Sequence, residues 1–198
     1  SSCFVVGLMK ALYKIKNSEI SNIDLSKKSI HFEQNIMKEV VGSQDQVAAT
    51  YGGFNKIIFN KNGSINAKKI KSTKNLKKLN RNLVLIYTGI NRTAHYIAKK
   101  YVGKLTSTKK NYINKIISYV DEGEKILNSS NIDDFGILLN EAWQEKKNLS
   151  NEISNKKIDE LYNDALKYGA LGGKLLGAGG GGFLLMYMKE NAKKDFFK

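Results

Sequence analysis

Gly172-Gly173-Lys174-Leu175-Leu176-Gly177-Ala178-Gly179-Gly180-Gly181-Gly182-Phe183 leads directly into the apolar run Leu184-Leu185-Met186-Tyr187-Met188. Six of the ten positions from 173 to 182 are glycine. Glycine gives up more backbone freedom on folding than any other residue, so such a cluster is retained where something must approach the backbone closely. The usual visitor at a glycine-rich turn is a phosphate held by backbone N–H groups. The run therefore points to nucleotide or phosphosugar chemistry at a loop that feeds a strand.

At 198 residues the chain has room for one large domain or two small ones, and 41% hydrophobic content allows a sizeable core. No apolar stretch approaches the roughly 18 residues that span a bilayer, and no signal-peptide pattern opens the chain. The single cysteine, Cys3, excludes an intrachain disulfide framework and cysteine metal sites, and it fits a reducing cytoplasm. The net charge of +15 invites a nucleic-acid reading. However, the excess is mostly lysine dispersed among asparagine and isoleucine, and the only arginines are Arg81 and Arg92. A solvated lysine-rich surface is the reading carried forward, with a functional basic groove as the alternative.

Outward from the glycine run, the spacing predicts helices over 109–128, 132–147 and 155–168, with Gly169 as the C-cap of the last. Leu83-Val84-Leu85-Ile86-Tyr87 reads as a buried strand, followed by Thr88-Gly89 and a helix near 93–101. Residues 71–81 are polar and lysine-rich and make the best domain boundary. Before them, residues 54–59 and 64–70 read as a β-hairpin turning at Asn60-Lys61-Asn62-Gly63. Residues 3–14 are apolar nearly all round and predict a buried helix with Cys3 inside it. A second helix is expected over about 26–38, and a short one at Gln44–Ala49, capped by Ser43 and ended by Gly52-Gly53.

Few side chains could carry chemistry. Asp45 lies in the first turn of the short helix, either as a second capping residue or as a base at a phosphoryl-transfer site. Glu33 stands twelve residues upstream; alone it reads as a surface glutamate, but its oxygens would also suit Mg²⁺. Ser1 and Ser2 open a helix, as caps or as holders of a phosphate and its metal. Arg92 follows a strand end, on the surface or in reach of a sugar phosphate. Lys174, flanked by glycine, either faces a phosphate or packs its stem at the loop edge. His31 and His95 are too few for a metal site, and Trp143 and Tyr162 sit at core-like helical positions.

The segments GSQDQVAATYGGFN, LVLIYTGINRTA, NEAWQEKKNLSNEISN and GALGGKLLGAGGGGFLLMY resemble the galactokinase–homoserine kinase–mevalonate kinase–phosphomevalonate kinase (GHMP) superfamily. Within it they look closest to the D-glycero-D-manno-heptose 7-phosphate kinases, in order from Ser1 to about Tyr187. The resemblance implies an α+β, two-domain GHMP kinase fold: residues 1–78 from a ribosomal S5 domain 2-like N-terminal part, and 79–198 as a ferredoxin-like C-terminal part. Both parts look incomplete at the outer ends. The first superfamily motif and most of the second would lie before Ser1, and a C-terminal strand is expected beyond the chain. This stretch alone is therefore expected to be inactive.

The resemblance also distributes roles. Ser1 and Glu33 match the magnesium ligands, and Asp45 the aspartate proposed to accept the proton of the attacking hydroxyl. Ser1, Ser2, Gly177, Gly179, Gly180 and Gly181 match the nucleotide-phosphate contacts. Gly182, Arg92 and Lys174 are assigned to the sugar phosphate. The implied activity is ATP-dependent, Mg²⁺-dependent phosphorylation of the anomeric hydroxyl of a heptose 7-phosphate, in the cytoplasm, on the route to nucleotide-activated heptose for lipopolysaccharide or capsule. Another sugar 1-kinase, galactokinase- or fucokinase-like, is the alternative within the class. A nucleic-acid-binding module and a non-catalytic truncated chain are the alternatives outside it. The expected partners are ATP and the sugar phosphate, with no nucleic acid, no membrane, and a homodimer left open.

Overall fold

The computed structural model describes residues 2–71, 73–91, 94–105 and 107–197, so Ser1 and Arg92 of the expected site lie outside the described residues. The chain divides into two compact units, residues 1–71 and 72–198.

The first unit runs α1 (Ser2–Ile15), α2 (Asn22–His31), a π-helical segment (Phe32–Ile36), α3 (Gln44–Tyr51), β1 (Asn55–Phe59) and β2 (Ile65–Lys69). Helix α1 packs on α2 and α3, and the unit's buried apolar side chains are Val5, Val6, Leu25, Val47 and Ile70. The expectation of a helix buried all round is corrected here. Phe4 is 72% exposed and Ile15 76%, Leu8 and Leu12 are also exposed, and so is Cys3. The reason is geometric: α2 and α3 lie on one side of α1, so Ser2, Val5 and Val6 turn inward and the opposite stripe does not. The hairpin forms as expected, with Asn55 opposite Lys69 and Phe59 opposite Ile65. Its turn closes through the Asn60 N–H donating to Ser64 O at 2.9 Å, with Gly63 at φ 79.

The second unit is a three-stranded antiparallel sheet with helices, ordered β3–β5–β4, where β3 is Leu83–Tyr87, β4 Ala170–Leu175 and β5 Phe183–Met188. Leu83 pairs with Tyr187 and Tyr87 with Phe183, so the two long apolar runs of the sequence lie side by side. The helices are α4 (Thr73–Asn82), α5 (Ala94–Tyr101), α6 (Lys110–Leu127), α7 (Asp134–Lys147), α8 (Lys156–Lys167) and α9 (Glu190–Phe196). One core joins Val84, Leu184, Met186 and Met188 of the sheet to Ile97, Trp143, Ile158, Tyr162 and Ala165 of the helices. Trp143 and Tyr162 are buried as expected, with ring centroids 6.2 Å apart. No described helix is long and apolar enough to cross a membrane.

Three elements differ from the sequence reading. Residues 73–82 form a helix within the stretch read as a polar boundary, and the two compact units divide at 71–72, at the start of that stretch. Its apolar side is only Leu76 and Leu79 wide, too narrow to stand out among lysines, yet Leu79 is 2% exposed. Burying such a side chain is worth about 2 kcal/mol. The Asn75 side chain adds donors to the Leu127 and Ser129 carbonyls, each at 2.8 Å. After β5 the chain does not trail off; α9 packs Phe196 edge-on to Tyr168 at 5.8 Å. The glycine run itself is divided. Gly172, Gly173 and Lys174 belong to β4, and only Leu176–Gly182 form the loop.

The glycines of β4 are there for close packing. A Cβ on Gly172 would lie 2.2 Å from the Gly136 carbonyl of α7, and one on Gly173 would lie 2.4 Å from the Leu185 carbonyl. Across the sheet, the Tyr187 hydroxyl donates to Asp133 Oδ1 at 2.7 Å and accepts from Asn82 Nδ2 at 2.8 Å. Lys189 stands 2.9 Å from Asp133 Oδ2 and Lys78 3.5 Å from Oδ1. Desolvation pushes the Asp133 carboxyl up, but the Tyr187 and Lys189 hydrogen bonds and the two lysine charges outweigh it and hold it below the usual carboxylate range. Burial, then the Asp133 hydrogen bond, raises the Tyr187 phenol.

Because Asp133 is depressed in the folded state, its stabilising contribution is complete above the unfolded value of 3.8 and is lost as pH falls through the lower folded value. Thermal unfolding of the wild-type protein is therefore expected to weaken more steeply below about pH 4 than that of Asp133→Asn, which lacks this titration. Parallel acid limbs in calorimetry of the two proteins would refute the role given to Asp133.

Candidate functional site

The first unit brings three of the chain's polar side chains into one buried cluster. The π-helical segment continues α2 with a wider turn, in which the Met37 N–H reaches the Phe32 carbonyl at 2.8 Å. Such turns concentrate at functional positions because they redirect a side chain. Lys38, at φ 56, reverses the chain, and the Glu39 N–H closes on the Glu33 carbonyl at 2.9 Å. Glu33, inside this turn, is only 1% exposed. The Ser2 hydroxyl lies 2.8 Å from its Oε2 and 3.1 Å from Oε1, and Gln46 Nε2 donates to Oε2. Ser2 is thus the carboxylate's donor rather than a helix cap.

Helix α3 presents Asp45 and Gln46 on neighbouring positions, about 100° apart around the axis. Gln46 is fully buried against Glu33, and Asp45 is exposed in the first turn, where the helix dipole favours its negative charge. Ser43 occupies the N-cap position without a side-chain cap bond; its hydroxyl instead accepts from Gln34 Nε2 at 3.2 Å. Gly52 and Gly53, at φ 60 and 71, end the helix as expected.

The donors suit a hard cation. Among the described residues Glu33 forms no ion pair, and a buried carboxylate without counter-charge is costly. Beside it the Gln46 Oε1 is buried with no hydrogen-bond partner. A hydroxyl, a carboxylate and an amide oxygen gathered in one spot match the all-oxygen preference of Mg²⁺. Among the described residues no cluster of three or more His, Cys, Asp or Glu offers a competing site. His31 is exposed at the end of α2.

The second unit holds the glycine loop. It is pinned at both ends: the Leu176 N–H donates to Phe183 O at 2.9 Å, and the Thr88 N–H and hydroxyl both donate to Gly182 O at 2.9 Å. Inside it, the Gly180 N–H donates to Ile153 O at 2.8 Å and the Gly182 N–H to Ile90 O at 3.0 Å. Those two N–H groups are committed to the protein. A Cβ on Gly179 would meet Ile153 Cα at 2.8 Å and one on Gly181 the Ile90 carbonyl at 2.6 Å, whereas Gly177 and Gly182 face open space. Lys146 Nζ braces the loop's entry, 3.1 Å from Leu175 O and 2.5 Å from Gly177 O. Lys174 lies in β4 opposite Leu185 and is partly buried. Behind the loop, burial pushes the Tyr162 phenol up to about 12, and its hydroxyl, 2.7 Å from Asn140 Oδ1, holds α8 to α7.

Gln46, Lys146 and Thr88 are the residues the sequence reading misses. Gln46 closes the GSQDQ segment and Lys146 lies in KKNLS, so both sit inside motifs already singled out. Their roles are visible only once the partner oxygens are in place.

Residues 124–197 match the family model described as GHMP kinases C terminal. The whole chain is 32% identical to the D-glycero-alpha-D-manno-heptose 7-phosphate kinase of Campylobacter jejuni and covers 59% of that protein. It is 28% identical, over 98% of its length, to a bifunctional fucokinase/GDP-fucose pyrophosphorylase of Arabidopsis thaliana, of which it covers 19%. Among solved structures, Lactococcus lactis galactokinase in complex with galactose superposes with a TM-score of 0.73 at 16% identity, over 99% of this chain and 59% of that one. The chain thus spans about three-fifths of the length of the heptose kinase it matches.

The two kinds of loop glycine are separable by substitution. Gly177→Ala carries only the left-handed backbone penalty and is expected to cost about 1 kcal/mol. Gly179→Ala adds a collision with backbone and is expected to cost about 3 kcal/mol or more. Urea unfolding followed by Trp143, the chain's single tryptophan and a core residue of this unit, reads both. Equal costs would contradict the packing role of Gly179.

Proposed function

We propose that the protein is a sugar kinase, since residues 124–197 match the family model described as GHMP kinases C terminal and the chain shares its fold with a galactokinase. It transfers the γ-phosphoryl group of ATP to the anomeric hydroxyl of D-glycero-D-manno-heptose 7-phosphate, giving the 1,7-bisphosphate. The observation that carries the kinase reading is the buried Glu33 carboxylate, held by Ser2 and Gln46, on the same unit as an exposed Asp45 in the first turn of α3. The choice of sugar rests on the 32% identity to a heptose 7-phosphate kinase over the full chain.

Phosphoryl transfer needs little covalent help from protein; positioning and charge neutralisation supply most of the rate. Mg²⁺, when bound, neutralises charge on the transferring phosphates. Glu33 and Ser1 are the residues proposed to hold it, with Ser2 beside them at the nucleotide phosphates. Gln46 fixes one carboxylate oxygen of Glu33, and its own carbonyl oxygen is buried without a hydrogen-bond partner. Asp45 is assigned the acceptor hydroxyl, either taking its proton or, as a negative charge, stabilising the positive charge that develops on that hydroxyl as it attacks. In the second unit, the N–H groups of Gly177, Gly179 and Gly181 are the proposed phosphate donors, since those of Gly180 and Gly182 already donate to Ile153 and Ile90. Gly180 and Gly182 then shape the loop. Arg92 and Lys174 are kept for the 7-phosphate.

A fucokinase-like activity is the second reading, favoured by the 28% identity to a fucokinase across nearly the whole chain. In a coupled ADP-release assay with the full-length protein, heptose 7-phosphate is expected to be turned over in preference to fucose and galactose. Asp45→Asn is expected to lower kcat about 10²- to 10⁴-fold while nucleotide binding persists. An unchanged kcat would sink the assignment of Asp45, and preference for fucose would transfer the activity to the second reading.

A further inference from the structure

We propose that a cleft in the second unit, ringed by Lys74, Lys78, Arg81 and Lys189, binds a phosphorylated small metabolite as a second ligand, away from the glycine loop. The cleft measures about 760 Å³, within the range of small-molecule sites. Four cationic side chains line it against two carboxylates, Asp133 and Glu190, so positive charge is in excess.

The arrangement is built rather than scattered. Lys74, Lys78 and Arg81 stand at i, i+4 and i+7 of α4 and so project from one face of that helix. Lys189 comes from the opposite wall, at the N-cap of α9. Asp133 fixes two of the four cations, Lys189 at 2.9 Å and Lys78 at 3.5 Å. Asp133 is itself positioned from behind by the fully buried Tyr187 hydroxyl at 2.7 Å, which Asn82, 4% exposed, holds at 2.8 Å. Among the described residues Lys74 and Arg81 form no ion pair, which leaves an ammonium and a planar guanidinium for a ligand oxyanion. Ser130 and Asn191 add neutral hydrogen-bonding groups suited to hydroxyls.

Position separates this cleft from phosphoryl transfer. Asn82 and Lys189 flank one end of β3 and β5, and Thr88 and Gly182 join at the other. A five-residue strand spans about 17 Å, so an anion in the cleft lies beyond reach of a phosphate at the loop. Such a ligand would act on the chain through β5 and Tyr187, as an effector rather than a substrate. An organic phosphate is the chemistry that the cleft fits, and either a nucleotide or a sugar phosphate supplies it.

Lysine acetylation of the full-length protein, mapped by peptide mass spectrometry, reads the cleft directly, without using catalysis. Pyrophosphate, ADP and glucose 6-phosphate are the probes, and Lys61, exposed in the hairpin turn, is the internal reference. Lys74 is expected to be protected severalfold by pyrophosphate and by one of the two organic phosphates, which then names the source, while Lys61 is unaffected. Arg81→Ala, an exposed substitution whose folding Trp143 fluorescence verifies, is expected to weaken protection about tenfold, the loss of one charge-assisted contact. Unprotected Lys74 at millimolar levels of all three probes overturns the proposal. So does protection that Arg81→Ala leaves unchanged, or protection by pyrophosphate alone, which would reduce the cleft to an inorganic-anion site.

Discussion

A β-carbon has no room at Gly172, Gly173, Gly179 or Gly181, and the second unit is arranged around that exclusion. At Gly172 the backbone of α7 comes up against β4; at Gly179 and Gly181 the loop lies against Ile153 and Ile90. Because glycine permits these approaches, the loop is fastened by main-chain hydrogen bonds to both neighbours, and the sheet, α7 and the α7–α8 connection become one packed body. The entropic penalty of so many glycines is therefore offset by contacts that no other residue allows. The loop is a rigid object, with Gly177 and Gly182 left facing open space.

The first unit is organised on the opposite physical principle, by polarity rather than by steric fit. A carboxylate with 1% exposure, two neutral donors and no ion pair among the described residues is an unfinished electrostatic arrangement. The neighbouring amide oxygen of Gln46, buried without a partner, is unfinished in the same sense. Burial of unsatisfied polar atoms is rare in folded proteins because each one weakens the fold. The Gln46 oxygen is one such atom, and it lies next to a hydrogen-bonded carboxylate that has no counter-charge among the described residues.

Much of this was legible in the residue order. Strong periodicity placed α6, α7, α8 and β3 within a residue or two of their observed ends, and Gly52-Gly53 and Gly169 stopped helices at positive φ where expected. Helix α4 is hard to read because two leucines among ten mostly polar residues leave a weak stripe; it is held by burial of Leu79 and by Asn75 bonding to the end of α6 and its turn. Strand β4 escaped because glycine has no strand propensity of its own; tertiary approach by α7 decides it. The exposed side of α1, Cys3 included, is not legible because a helix that is apolar nearly all round carries no record of how many neighbours it has. Of the site, Glu33 and Asp45 were named by motif, but Gln46 and Lys146 act through distances that no spacing rule encodes.

The π-helical turn at Phe32–Ile36 has a consequence for how such chains are compared. A π turn is an α-helix carrying one additional residue, so the twelve positions from Glu33 to Asp45 are not a measure in helical turns. Alignment by hydrophobic period alone would slip by one residue across this segment and put a neighbour in place of Glu33. Conversely, losing the one residue of this turn that precedes Glu33 would swing the carboxylate about a quarter-turn relative to α2, with composition almost unchanged. Within this stretch, length itself is under constraint, and an insertion or deletion would do more harm than most substitutions.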